Sequence, residues 1–277
     1  MPNIENTLIE IQDALDRGDY LKAGTACSNA GQIFLERNLY REAAEYYREA
    51  RNHFAAAEEI NLQARALNHL GICLVMEEED DSALEILDEA LRLLDQSPDG
   101  SLLAAIQGNM GLAYSNLQDH KNAIKAHKSV LEAAEESGDD HLRLNALINL
   151  ADSNLQDKNY RSAQGFALVA LDLAHKLSPH PGVVIIYDLL GMIASRQGNL
   201  KSAAEYHQQS FQAAHKHGDL LRQGIALANK GLALEGLTDL EGALEAMSQA
   251  EELFLLLNSD YLEKTRQDLE RVRNGLS

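Results

Sequence analysis

The sequence predicts an all-α protein, a right-handed superhelical solenoid of six helix pairs with a capping helix at each end. Three observations carry that expectation. Gly31, Gly71, Gly111, Gly191 and Gly231 stand 40 residues apart or a multiple of it, and Ala151 fills the remaining slot. Twelve residues after each comes alanine (Ala43, Ala83, Ala123, Ala163, Ala203, Ala243), and seven further on lie Ala50, Ala90, Val130, Ala170, Ser210 and Ala250. Around both sets the apolar residues recur at the i, i+3, i+4 spacing of an amphipathic helix, as in Leu144, Leu147, Ile148 and Ala151. A fixed period of this length marks a repeat architecture, in which each unit buries its apolar face against its neighbours.

Taken in order, residues 4–16 lie one step before the first full unit and lack its alanines, so they read as a lone second helix that caps the N-terminal end. Residues 20–257 hold the six 40-residue units, each of two helices. Short breaks such as Gln156-Asp157-Lys158-Asn159 and Gln197-Gly198-Asn199 separate the two helices of a unit. Between units stand Gly18-Asp19, Gly138-Asp139 and Gly218-Asp219, where glycine permits a left-handed helix end and aspartate caps the next helix. Pro2 is terminal, and Pro98, Pro179 and Pro181 fall in inter-unit turns, where no helical hydrogen bond is lost. Glycine and alanine at the helix crossings allow close approach, since side chains there set the interaxial distance. Residues 260–274 occupy the slot of a seventh first helix but carry Glu263, Lys264, Arg266, Asp268, Glu270, Arg271 and Arg273, the pattern of a solvated C-terminal capping helix. Residues 1–277 thus read as a single solenoid domain.

Composition excludes several function classes. The chain is 45% apolar and 24% charged, a globular balance, with 43 acidic against 24 basic side chains and a formal charge of -19. Nucleic acid and anionic membrane surfaces would be repelled by that field. Apolar runs such as Leu253–Leu257 are too short to span a bilayer, and the start MPNIENTLIEIQDALDRGD lacks the basic and apolar regions of a signal peptide, so a cytoplasmic protein is expected. Cys27 and Cys73 read as buried small apolar residues. Gly-rich phosphate loops, H-E-x-x-H, G-x-S-x-G and Cys-x-x-Cys are absent, and His215 and His217 point to different sides of a helix, so neither enzyme nor cofactor nor metal site is expected. His127 and His207 fill equivalent packing slots.

A glycine in the first helix, alanines twelve and nineteen residues later and an aromatic or histidine between them resemble the tetratricopeptide repeat, here with a longer period than its usual one. Asn109–Ala123 and Ala123–Asp140, NMGLAYSNLQDHKNA and AIKAHKSVLEAAEESGDD, look like the units of Pins-type spindle-orientation adaptors; kinesin light chains and bacterial Rap-type regulators are more distant in style. The resemblance covers residues 20–257 and implies that first helices line a concave, peptide-binding face. Arginine six residues before the glycine, common in Pins-type units, occurs only as Arg65.

On that face, the position two before the glycine holds Asn29, His69, Asn109, Asn149, Leu189 and Asn229, a ladder of amides that offer both donor and acceptor to an extended backbone. The alternative role of these amides is hydrogen bonding between neighbouring helices. Arg65, Leu112, Asp152, Met192 and Arg196 complete the expected groove, which lacks the basic set of a carboxylate clamp. Charge is uneven: residues 1–157 hold 29 acids and 12 bases, residues 158–230 only 4 acids and 8 bases, and residues 231–277 hold 10 acids and 4 bases. The run Glu77-Glu78-Glu79-Asp80-Asp81 falls in an intra-unit turn, where it is either a solvated loop or a steering patch for a basic partner. The expected partner is therefore a protein or peptide, partly basic and apolar, held by a non-catalytic adaptor. Two further readings are a regulator that changes conformation on binding a small peptide and a self-associating assembly factor.

Overall fold

The structure is a computed structural model that describes residues 4–276, so Pro2 lies outside the described residues. Among the described residues there are fourteen α-helices and no strands. The chain divides into two compact units, Met1–Ala146 and Leu147–Ser277.

The first unit comprises α1 (Ile4–Asp16), α2 (Tyr20–Leu35), α3 (Tyr40–Ala56), α4 (Ile60–Met76), α5 (Asp80–Leu94), α6 (Gly100–Asn116), α7 (His120–Ser137) and the opening of α8 (Asp140–Gln156). The second holds the rest of α8, then α9 (Tyr160–Lys176), α10 (Gly182–Arg196), α11 (Leu200–His217), α12 (Leu220–Gly236), α13 (Leu240–Leu257) and α14 (Tyr261–Leu276). Within each unit consecutive helices pack as hairpins, and first helices also touch the next first helix: α4 meets α6, α10 meets α12 and α12 meets α14.

One turn motif builds nearly every connection. The residue two before each helix start is left-handed at Gly18, Asn38, Glu58, Glu78, Gln118, Gly138, Lys158, Gly198, Gly218 and Thr238, a spacing of 20 residues or a multiple of it. The next backbone N–H reaches back to the closing turn of the preceding helix, as from Asp119 to the Tyr114 carbonyl at 2.8 Å and from Asn199 to the Ala194 carbonyl at 2.8 Å. That is a Schellman ending, which satisfies carbonyls the helix end would otherwise orphan. The same residue then caps the following helix at Asp19, Asp119, Asn159, Asn199, Asp219 and Asp239, each accepting a backbone N–H three residues on, and Asp99 caps α6 in the same way without the left-handed turn before it. Turns within and between repeats are thus one device, and six of those ten left-handed positions are held by residues other than glycine.

The repeat alanines form the crossings. Ala43, Ala83, Ala123, Ala163, Ala203 and Ala243 are all fully buried. Above them the phased glycines make room for a large residue sixteen positions later. A Cβ on Gly31, Gly71, Gly111, Gly191 or Gly231 would lie 2.9, 2.5, 2.3, 2.5 and 2.5 Å from Tyr47, Leu87, His127, His207 and Met247 respectively. Where alanine replaces the glycine, at Ala151, the residue sixteen positions on is also alanine, Ala167, and both are buried. Large with glycine, small with alanine: the pair keeps the volume at the crossing constant, as a close-packed interior demands. Ser210, alone among its alanine and valine equivalents in being polar, is satisfied by donating to the Val184 carbonyl at 3.1 Å.

Candidate peptide-binding surface

The expected site residues sit on the first helices, and hydrogen bonds already engage several of them. Asn109 Nδ2 donates to Asn68 Oδ1 at 2.9 Å, and Asn229 Nδ2 donates to Asp188 Oδ1 at 3.2 Å. Each bond joins one first helix to the preceding one across 41 residues, so these two amides align successive repeats. His69 stacks on Tyr47 with ring centroids 4.9 Å apart, and burial together with nearby Arg65 lowers its pKa. Arg65 is drawn to Asp99 Oδ2 at 2.6 Å, and that carboxylate also caps α6. Asp152 accepts from Gln156 at 3.3 Å. Asn29 and Leu112 are exposed, while Asn149 is half-buried.

The acidic run is also partly engaged. Glu77 pairs with Arg41 at 2.5 Å, and Asp80 is buried and accepts from Asn116 Nδ2 at 3.0 Å. Glu78, Glu79 and Asp81 remain exposed. Two of the five carboxylates therefore fasten this turn to its neighbours.

Met192, Arg196 and Asn229 come together in the second unit, around a cleft of about 510 Å³. Its floor is Leu155, Met192 and Leu232; Lys158, Arg196 and Lys264 stand on its rim. Beneath it lies His207, 2% exposed, whose Nδ1 is 3.0 Å from the same Asp188 oxygen that Asn229 holds. The equivalent ring, His127, has no such partner: glycine occupies the matching position, Gly108, and Nδ1 is buried without a hydrogen bond. Desolvation pushes the His127 pKa down to about 4, so this imidazole is neutral at physiological pH.

Sequence reasoning missed Lys158, Lys264, Asp188 and His207 as neighbours of the expected groove. Lys158 falls in an intra-unit turn and Lys264 in the capping helix, and neither position belongs to the repeat phase from which the face is read. Only Asp188, three before Gly191 and thus on the same face, carried a sequence signal.

Among the described residues no group of three or more His, Cys, Asp or Glu is placed to hold a metal ion. Nor is any helix long and apolar enough to cross a membrane. Burial raises the pKa of Cys27 and of Cys73 to about 12, so both thiols stay protonated and inert.

Known proteins place these features in context. The tetratricopeptide repeat family is matched over residues 102–176. The crystal structure of BtubC (BKLC) from P. vanneervenii is similar with a TM-score of 0.66 at 19% identity, over 81% of this chain and 92% of that one. Aspartyl phosphate phosphatase F from Bacillus subtilis is similar with a TM-score of 0.69 at 16% identity, over 99% of this chain and 76% of that one. A Rap protein complexed with Competence and Sporulation Factor gives 0.63 at 14% identity, over 92% and 76%. At these identities the likeness describes the fold, while the resemblance to Pins-type units stays with the sequence alone. Residues 102–176 carry tetratricopeptide repeats, and the chain as a whole shares the all-α fold of these solved structures.

Proposed function

We propose that the chain is a non-catalytic adaptor whose first helices hold a linear peptide segment of a protein partner. The observation that carries this reading is the exposure of apolar side chains at matching positions on those helices. Leu112 and Leu232, each one residue after a phased glycine, are both exposed, and Met76 is exposed four residues beyond the position matching theirs. Exposed leucines repeated in phase contribute little to folding, whereas a peptide laid on either of them would be stabilised by its burial. Asn29 and Asn149 lie in the same rows and supply amides for backbone hydrogen bonds. Helices fixed by their own turns and crossings bring little ordering cost to such binding.

The test is selection of peptides from a displayed library by the full chain, repeated with Leu112→Glu and Asn149→Ala together. Enrichment by the wild type that the double variant loses supports the face. Equal enrichment by both removes the groove assignment. A second reading, a regulator that changes conformation with ligand, draws support from the likeness, across 92% of this chain, to a Rap protein complexed with Competence and Sporulation Factor. A scattering radius that shifts when a selected peptide is added would favour it, and an unchanged radius at saturation would set it aside.

A further inference from the structure

The cleft of the second unit has a charge at odds with the chain around it. Thirteen residues line it and none is acidic, although the chain carries 43 acids against 24 bases. Among the described residues Lys158, Arg196 and Lys264 form no ion pair, whereas neighbouring cations on α14 do: Arg266 binds Glu251 and Arg271 binds both Glu235 and Asp268. Of the acids close by, Glu235 is paired with Arg271 at 2.7 Å, and Asp188 accepts from Asn229 and lies 3.0 Å from His207. Three uncompensated cations on the rim of a concave, low-dielectric wall focus a positive potential into the cleft. Its floor of Leu155, Met192 and Leu232 is apolar. A cleft of about 510 Å³ lies within the range of small-ligand pockets and accommodates a few side chains.

Building on the adaptor reading, we propose that this cleft docks an extended peptide segment bearing an acidic side chain next to an aliphatic one. The aliphatic group fills the floor against Met192 and Leu232. The carboxylate sits on the rim, where Arg196 offers a planar fork of donors and Lys158 and Lys264 approach from the α8–α9 turn and from α14. Asn229 keeps one amide proton beyond the bond to Asp188 for the peptide backbone. A polyanion is disfavoured because the rest of the chain, at a net -19, repels it as it extends beyond the cleft.

The experiment uses the full chain and a displayed library whose peptides are flanked on both sides, so that no terminal carboxylate is presented. The wild type is expected to enrich Asp or Glu beside Leu, Ile, Val or Met. The charge-swapped variant Lys158→Glu, Arg196→Glu, Lys264→Glu is expected to enrich Lys or Arg at the acidic position and to retain the aliphatic neighbour. A fluorescein-labelled, C-amidated peptide from the wild-type selection should bind Arg196→Gln about tenfold more weakly, the loss of one charge-assisted hydrogen bond. Arg196→Lys should recover part of that loss.

Enrichment without acidic preference, or a preference the charge swap leaves unchanged, overturns the cleft proposal and leaves the adaptor reading standing. Failure of the wild type to enrich any peptide removes both. Salt-sensitive binding of single-stranded DNA or phosphatidylserine vesicles that the charge swap abolishes, with no peptide enriched, assigns the cations to a polyanion and overturns both.

Discussion

Gly111 and His127 show how a single methyl group is accounted for in this molecule. A Cβ on Gly111 would lie 2.3 Å from the buried imidazole, which has no room to turn aside, so Gly111→Ala should destabilise by about 1–3 kcal/mol. The chain already contains the compensated form of that change in Ala151 with Ala167. Gly111→Ala in a His127→Ala background should therefore be neutral or stabilising, because helix propensity favours alanine over glycine by about 1 kcal/mol. Urea melts of the four proteins in the double-mutant cycle measure the coupling; additive effects would show that the two positions do not compete for one space. His127 also makes a pH prediction. Its folded pKa of about 4 lies below the ordinary 6.5, so the unfolded chain binds the proton first. Its contribution to stability is complete above pH 6.5 and is lost as pH falls toward 4, at up to about 1.4 kcal/mol per pH unit. His127→Leu, which copies Leu87 from the equivalent slot, should flatten the stability profile between those limits relative to the wild type.

The helices owe their even length to the shared turn. A left-handed residue ends one helix, and its successor closes the Schellman ending and, where it is one of the capping Asp or Asn residues, also caps the next helix, so about three residues suffice for a reversal. At the start of α9 the cap is Asn159, whose Oδ1 accepts the Ser162 N–H. Asn159→Ala should cost about 0.5–1 kcal/mol and Asn159→Gly only a few tenths, since glycine is tolerated at a cap and alanine is not. Thermal melts read the difference, and equal losses would mean that the asparagine acts through something other than capping. The Gly-Asp pairs at three turns were legible because glycine and aspartate advertise this geometry. The equivalent role of Asn38, Glu58, Glu78, Gln118, Lys158 and Thr238 was not, because helix packing on both sides holds an ordinary residue in a conformation that its local propensity disfavours by about 1–2 kcal/mol.

At the scale of the whole molecule, stability in a repeat protein is a sum of hairpin and neighbour-interface terms, so damage stays near its origin. Ala203 is fully buried at the α10–α11 crossing, and Ala203→Leu should cost about 1–3 kcal/mol through overpacking. Hydrogen exchange should quicken across α10, α11 and α12 while the amides of α3, α4 and α5 keep their rates. A uniform acceleration over all helices would instead mean that the chain opens as a single block.

Period, helix count and the crossing residues were determined by the sequence alone, because packing against a like neighbour imposes the same small residue at the same phase in every unit. Which rung of the amide ladder is already engaged, and which cations converge on one cleft, only the tertiary structure decided. Asn29, Asn109 and Asn229 are indistinguishable in phase, yet Asn109 and Asn229 each find an acceptor 41 positions earlier, the Asn68 amide for one and the Asp188 carboxylate for the other, whereas Asn29 stays exposed. Lys158, Arg196 and Lys264 share no spacing at all and meet only because the α8–α9 turn, the end of α10 and the start of α14 open onto the same hollow. Repetition writes its packing into the chain, whereas a binding site is made where the units cease to be alike.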